Sequence, residues 1–396
     1  MDSAGNAFAS AISTRNDLRE ALAEVVDSAL TQLNATPHLA MLFISPHHLP
    51  QSEQLIAELK RALPEETKLL GCGGETIAGV GQEIEDQPAI SLWLAALPHT
   101  QITTMHLEFQ RTTEGMAISG WPDELAGTWQ PDSFLIALGE PFSFPADVML
   151  DQLNQDRPGI PVVGGMASAA ASPGKNRLFL NRGLHSEGAV VAHLSGGVKL
   201  RTVVSQGCRP VGKPFVITKA ERNIVYQLGG KPALGQLQEM FAALPTREQV
   251  AARQGLHLGR VVNEYLATFS QGDFLIRNVT GIDQASGALS LGDYFRVGQT
   301  VQFHIRDHES ADAELHQLLA AVRDLPAPAT RGALLFSCNG RGTRLFPTPH
   351  HDAQVIQQQL GTVPLAGFFA QGEMGPIGGR NFLHGFTASI AILEGE

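Results

Sequence analysis

The chain is short of the features that would tie it to an oxidising compartment, a membrane or a nucleic acid. Its three cysteines, Cys72, Cys208 and Cys338, are far apart and odd in number. They show no CxxC spacing, so neither a disulfide framework nor a cysteine-based zinc site is expected, and a reducing compartment is. No apolar run approaches the ~18 residues that a membrane span requires. Met1–Ser10 lacks the basic and apolar regions of a signal peptide. A cytoplasmic location without membrane insertion follows. Positive charge is scarce as well: 28 Lys and Arg against 39 Asp and Glu leave a formal charge of -11. Such a balance suits a phosphate backbone poorly, so nucleic acid is not an expected partner.

What the chain does have is glycine and proline, 41 and 23 residues, within a composition that is 43% hydrophobic and 17% charged. That describes a packed globular protein with many tight connections, with disorder confined, if anywhere, to the first dozen residues. At 396 residues the chain exceeds the roughly 250–300 residues that one core usually serves, so two domains or a pseudo-repeated pair are expected. Leu18, Leu22, Val25, Ala29 and Leu33 fall at helical spacing, with Thr14 or Asn16 as a cap. A strand at Leu39–Ile44, a helix near Gln51–Leu63, a strand at Lys68–Cys72 and another at Pro88–Leu97 come next. The same order returns at Ser133–Leu138, Pro145–Asn154, Pro161–Gly165 and Glu187–Leu194. It returns again at Gly332–Ser337, His351–Leu360, Val363–Phe368 and Gly385–Leu393. Laid without gaps, Leu69–Leu97 and Leu365–Leu393 match at Leu69/Leu365, Gly71/Gly367, Gly79/Gly375, Ala95/Ala391 and Leu97/Leu393. The fold class expected is mixed α/β: β-α-β-β modules packed as two related halves, each a mixed sheet covered by helices and extended by its hairpin. Between the second and third copies, Lys213–Leu228 reads as a hairpin, Ala233–Leu244 as a helix and Asp273–Ile305 as strands. Ser310 is placed as the cap of a helix to Val322, broken by Pro326-Ala327-Pro328.

Several of these segments resemble the FIST family. Gly71-Cys72-Gly73 through Gln82-Glu83-Ile84-Glu85, with Pro88-Ala89-Ile90-Ser91, is similar to the N-terminal half of FIST domains. Ser205-Gln206-Gly207-Cys208-Arg209-Pro210-Val211-Gly212 and Val216–Ala220 resemble the junction with the C-terminal half. Phe336-Ser337-Cys338-Asn339-Gly340-Arg341-Gly342, Leu365–Phe369 to Gly372-Glu373 and Gly378–Thr387 are the more specific matches. The resemblance runs from about residue 30 to the end, giving an N-terminal tail and helix at 1–30, an N-terminal FIST domain at 31–215 and a C-terminal one at 216–396. It implies an intracellular small-ligand sensor, with an amino acid or related small carboxylate as ligand and a signalling protein as possible partner; the alternatives are a cysteine-dependent hydrolase or transferase using Cys338 and an adaptor that holds a protein partner without a small ligand, and no cofactor is expected.

Candidate chemistry collects near the C-terminus. Arg341 and Arg344 lie in a glycine-containing loop before a helix whose start Thr348 and Pro349 mark. That placement suits a carboxylate, or else a plain strand-to-helix turn with solvated arginines. Glu373, Arg380, Asn381 and His384 follow Phe368 and Phe369. They can hold a zwitterion, with Arg380 on its carboxylate, Glu373 on its ammonium and the phenylalanines as apolar walls. The alternative is a structural ion pair closing a hairpin, with the phenylalanines in the core. Cys338 with Asn339 and His351 or His384 admits a nucleophile, yet a cysteine ending an apolar strand is usually a small hydrophobe. The ligand-binding set is therefore Cys338, Asn339, Arg341, Phe368, Phe369, Glu373, Arg380, Asn381 and His384, with no catalytic residue and no metal ligand. His47-His48 and His350-His351-Asp352 lack HxH or HxxxH partners. Gly71, Gly73, Gly74, Gly79 and Gly81 are assigned to turns.

Overall fold

The computed structural model describes residues 5–113, 115–326 and 330–395. They form two compact units, one of residues 1–204 with 316–396 and one of residues 205–315. The fold is mixed α/β, as the periodicities predict.

In the first unit the same element order occurs three times. Each repeat has a strand, a covering helix and a second strand parallel to the first. Leu39–Ile44, Ser52–Ala62 and Lys68–Gly73 make the first. Phe134–Gly139, Ala146–Asp156 and Val162–Met166 make the second. Thr330–Cys338, His351–Leu360 and Leu365–Ala370 make the third. A hairpin follows in each, and then a strand returning antiparallel to the first: Ile90–Ala96, Ala189–Ser195 and Ala388–Gly395. Leu69–Leu97 and Leu365–Leu393 thus share one topology.

The hairpins depart from expectation, because none extends the sheet of its own repeat. Ile77–Ile84 pairs with Leu365–Ala370 of the third repeat. Leu178–His185 pairs with Lys68–Gly73 of the first. Glu373–His384 pairs with Val162–Met166 of the second. The three repeats therefore exchange hairpins in a ring. A repeat alone would leave its second parallel strand as an open edge, and the neighbour's hairpin closes it.

One residue of that second strand is constrained in all three copies. Gly71, Gly164 and Gly367 sit opposite Leu42, Ala137 and Leu335. A Cβ there would lie 2.2, 1.8 and 1.9 Å from those residues' carbonyl oxygens. Gly71 is thus mid-strand and needed for close approach, where the sequence suggested a turn; Gly81, at φ +74°, is a turn glycine.

Two further expectations change. Ala7–Ser13, read as part of a tail, is a strand antiparallel to Ile90–Ala96, and the Ser10 hydroxyl accepts from the Leu365 N–H at 3.0 Å. Small side chains gave the segment little hydrophobic signal, but it pairs along its whole length. The helix Leu18–Leu33 is capped by Asp17, whose carboxylate accepts from the Arg19 and Glu20 N–H groups, and not by Thr14 or Asn16. A common core joins the sheets around Phe43, Phe336 and Phe368; Phe43 stacks on Phe368 at 5.2 Å and Phe336 meets it edge-on at 5.9 Å.

The second unit is a small antiparallel barrel. Cys208–Glu221, Thr300–Arg306, Leu256–Val261, Phe274–Asp283, Ala288–Leu291 and Ile224–Leu228 are neighbours in that order, and the first pairs again with the last. The helix Ala233–Ala243 agrees with expectation; Thr246–Gln254 and Leu256–Val261 were not foreseen. The helix reading to Val322 is realised as His308–Arg323, where the Asp307 carboxylate accepts from the Ser310 N–H and does the capping. Ala327 and Pro328 of the proposed breaker lie outside the described residues.

Candidate functional site

The parallel strands Thr330–Cys338 and Leu365–Ala370 end at the loop 339–346, which runs into the helix His351–Leu360. Carboxyl ends of parallel strands are where open α/β sheets usually place their sites. The helix has no side-chain cap of its own, since His350 before it is left-handed at φ 67°. The first repeat's hairpin supplies one from 270 residues away: Glu83 Oε1 accepts from the Ala353 N–H at 2.9 Å. The Glu83 N–H in turn donates to Nδ1 of His350 at 2.9 Å.

Inside this junction Arg341 and Asp352 form a bidentate pair, Nε to Oδ2 at 2.7 Å and Nη2 to Oδ1 at 2.8 Å, with both side chains 0% exposed. Ser337 Oγ donates to Oδ2 at 2.8 Å and Nδ1 of His351 lies 2.9 Å from Oδ1. Phe346 packs against both, with the His351 ring stacked on it at 3.4 Å and the Arg341 guanidinium 5.2 Å from its centroid. Burial alone would raise the Asp352 carboxyl, but the Arg341 charge and hydrogen bonds, with His351, hold it below the ordinary carboxylate range. Glu83 moves the other way. Burial, and then the Asp352 charge, push it up to about 8. Opposed shifts in neighbouring carboxyls are typical of functional sites, although structural networks produce them too. Around the rim, Glu85 accepts from the Thr343 N–H and hydroxyl at 2.9 and 2.6 Å. Arg344 pairs with Glu75 at 3.2 Å and donates to the Asn339 carbonyl at 2.9 Å.

The expected residues separate. Arg341 is at the junction but is engaged by Asp352. Asn339 and Cys338 are half-buried at the strand end, where Cys338 Sγ accepts from the Gly340 N–H at 3.4 Å. Phe369 lies under the loop, its ring 2.7 Å from where a Cβ on Gly342 would stand. Phe368 is a core residue, 0% exposed. Glu373 and Arg380 are not brought together. Their hairpin pairs Glu373 with His384 and Arg380 with Ile377, so Arg380 stands exposed by the turn. Glu373, fully buried, accepts from the Thr387 N–H and hydroxyl at 3.1 and 2.7 Å. Asn381 fastens the hairpin to the second repeat: its side chain accepts from the Val162 N–H and donates to the Ile160 carbonyl, both at 2.8 Å. His384 Nε2 lies 2.9 Å from the Gly375 carbonyl. His350 and His351 are turned to Glu83 and Asp352 respectively, which separates them as ligands for one ion. Among the described residues no group of His, Cys, Asp or Glu is arranged to hold a metal, and no helix is long and apolar enough to cross a membrane.

Glu83 and Asp352 are the residues that the sequence reading passed over as site members. The signal was faint: an acid in a hairpin whose neighbour Ile84 is apolar, and an acid in the first turn of the helix after Arg341.

A protein of Mycobacterium tuberculosis, described as uncharacterised, is 42% identical over 383 residues, covering 96% of this chain and 98% of its own. An uncharacterised Mycobacterium bovis protein is 40% identical over 384 residues, covering 96% and 97%. Among solved structures, a cyanuric acid hydrolase from A. caulinodans aligns over 98% of this chain and 99% of its own. At 10% identity and a TM-score of 0.32 that likeness supports no argument. The FIST N domain matches residues 38–231 and the FIST C domain residues 233–376, so the chain belongs to the FIST family.

Proposed function

We propose that the chain is a sensory, signal-transducing protein that binds an amino acid or a related small carboxylate at the Arg341–Asp352–Glu83 junction. FIST domains are associated with small-ligand sensing. The observation that carries the reading is a pair of buried atoms, Glu83 Oε2 and Asn339 Oδ1, that have no hydrogen-bond partner among the described residues. Leaving such an atom unpaired costs about 1–3 kcal/mol, so each is a place where a ligand group gains by binding. With its pKa at about 8, Glu83 keeps its proton at neutral pH and offers an O–H donor to a carboxylate. Asn339 Oδ1 offers an acceptor to an ammonium. Arg341 is held by Asp352, so its part is to fix the loop that carries Asn339.

A thermal-shift screen against amino acids and small carboxylates tests the reading, since a ligand at about 100 times its Kd adds ~2.7 kcal/mol. Calorimetry on Asn339→Ala and Glu83→Ala should then show affinity reduced about tenfold or more. A bound ligand whose affinity both variants leave unchanged places the site elsewhere. A signalling protein that the chain captures only with ligand present is the expected output partner.

One observation favours a second reading. Nδ1 of His351 is held by Asp352, as a general base is oriented in a cysteine hydrolase, in the helix that follows Cys338. Turnover of an ester or amide that Cys338→Ala abolishes would establish it; turnover that survives the substitution rejects it.

A further inference from the structure

A cavity lies away from this junction, in a place that the repeat itself explains. Ahead of its first parallel strand, the first repeat carries the helix Leu18–Leu33, packed beside Ser52–Ala62. The second repeat has no helix of that kind among its described residues. A single turn, Asp123–Leu125, and irregular chain lead to Phe134–Gly139. Between this segment and the helix Ala146–Asp156 a cavity of about 220 Å³ remains.

Its floor is apolar and buried, formed by Leu125, Met149 and Leu153. Its walls are Trp121 and Trp129, both half-buried, with ring centroids 6.2 Å apart and planes 46° from each other. Trp129 is held in place: its Nε1 donates to the Leu125 carbonyl at 2.9 Å and its ring meets His193 edge-on at 4.8 Å. Arg157 lies 5.2 Å from the Trp129 centroid and donates to the carbonyls of Ala126 and Gly127 at 3.4 and 3.0 Å. The one cation of the lining is thereby engaged. Asp123 and Asp156, exposed at the mouth, have no ion-pair partner among the described residues.

We propose that this cavity binds a small organic cation, an amine or quaternary ammonium on a short apolar body. The indole face is the best aromatic surface for a cation; with Arg157 already over Trp129, the Trp121 ring and the two carboxylates at the mouth supply the attraction and the sign. An anion would meet two like charges there and an arginine already committed to backbone carbonyls. The volume of about 220 Å³ suits a ligand the size of choline. This site shares no residue with the Glu83 and Asn339 junction and does not depend on it.

The test uses the full chain and its intrinsic fluorescence. Two of the three tryptophans line the cavity, while Trp93 is 0% exposed. Titration with choline is expected to give a saturable change. Its uncharged isostere 3,3-dimethyl-1-butanol, at matched ionic strength, should bind at least about tenfold more weakly. Trp121→Leu and the double variant Asp123→Asn with Asp156→Asn should each weaken choline by a similar factor at an unchanged melting temperature. The aspartates are exposed, so their substitution does not threaten folding. No saturation into the high millimolar range, or equal binding of the isostere, overturns the proposal, as does full affinity in both variants.

Discussion

Two of the hairpin junctions share a topology and differ in chemistry. Where the third repeat's hairpin meets the second repeat, the side-chain hydrogen bonds that cross to the second repeat are made by amides, while the buried Glu373 carboxylate is held within its own repeat by Thr387. Asn381 and Asn154 exchange bonds of 2.8 and 2.9 Å between backbone and side chain, and the Asn381 side chain pairs with Val162 and Ile160. Where the first repeat's hairpin meets the third, the same position in the ring holds Arg341, Asp352 and Glu83, all buried. A paired amide network fastens that hairpin to its neighbour. A charged one with an unpaired carboxyl oxygen costs stability, and a fold that needed only to close would have no use for it.

The sharpest way to break this contrast is Arg341→Met. It leaves the Asp352 carboxylate buried without its partner, and removal of one member of a buried pair typically costs about 3–5 kcal/mol. Urea unfolding should show that loss; a loss below about 1 kcal/mol would mean that water reaches the pair.

Glu83→Gln probes the same junction through pH. The folded pKa of Glu83, about 8, lies above its ordinary value of 4.5. Its stabilising contribution is therefore complete below 4.5 and is lost as pH rises through 8, at ~1.4 kcal/mol per unit in between. The variant keeps an acceptor for the Ala353 N–H and cannot ionise. It should match the parent at pH 4 and exceed it by about 3 kcal/mol at pH 7, so parallel stability curves would contradict the raised pKa.

The smallest effects separate two neighbours in the other junction. Asn381→Ala strands the Val162 N–H and the Ile160 carbonyl and should cost about 1–3 kcal/mol. Arg380→Ala, exposed by the turn, should stay within about 0.5 kcal/mol. Any loss of ligand affinity in Arg380→Ala would restore the carboxylate role that its sequence position suggested.

Much of the secondary structure is legible without coordinates. His351–Leu360 and Leu39–Ile44 agree with expectation to the residue, the helix because one buried face leaves a period of 3.6 and the strand because burial on both faces leaves a short unbroken apolar run. The threefold order could be read for the same reason, from Gly71/Gly367 and their neighbours. Site residues were less legible: Arg341 and Asn339 stood in a marked loop, whereas Phe368 and Asn381 proved to be core and fastener. Aromatic, amide and acidic side chains near glycine look alike in sequence whether they meet a ligand or a neighbouring strand.

Taken alone, then, the sequence determined which segments are strands and helices, that they recur, and that the chain is of the FIST type, since all three are written in local pattern. Tertiary structure alone decided that each hairpin crosses to another repeat, because an edge strand's hydrogen bonds specify a partner's geometry and not its identity. It also decided which acids are buried. The environment of Glu83 is made by Ala353, Asp352 and Arg341, and charges brought together from opposite ends of a chain leave no period in it.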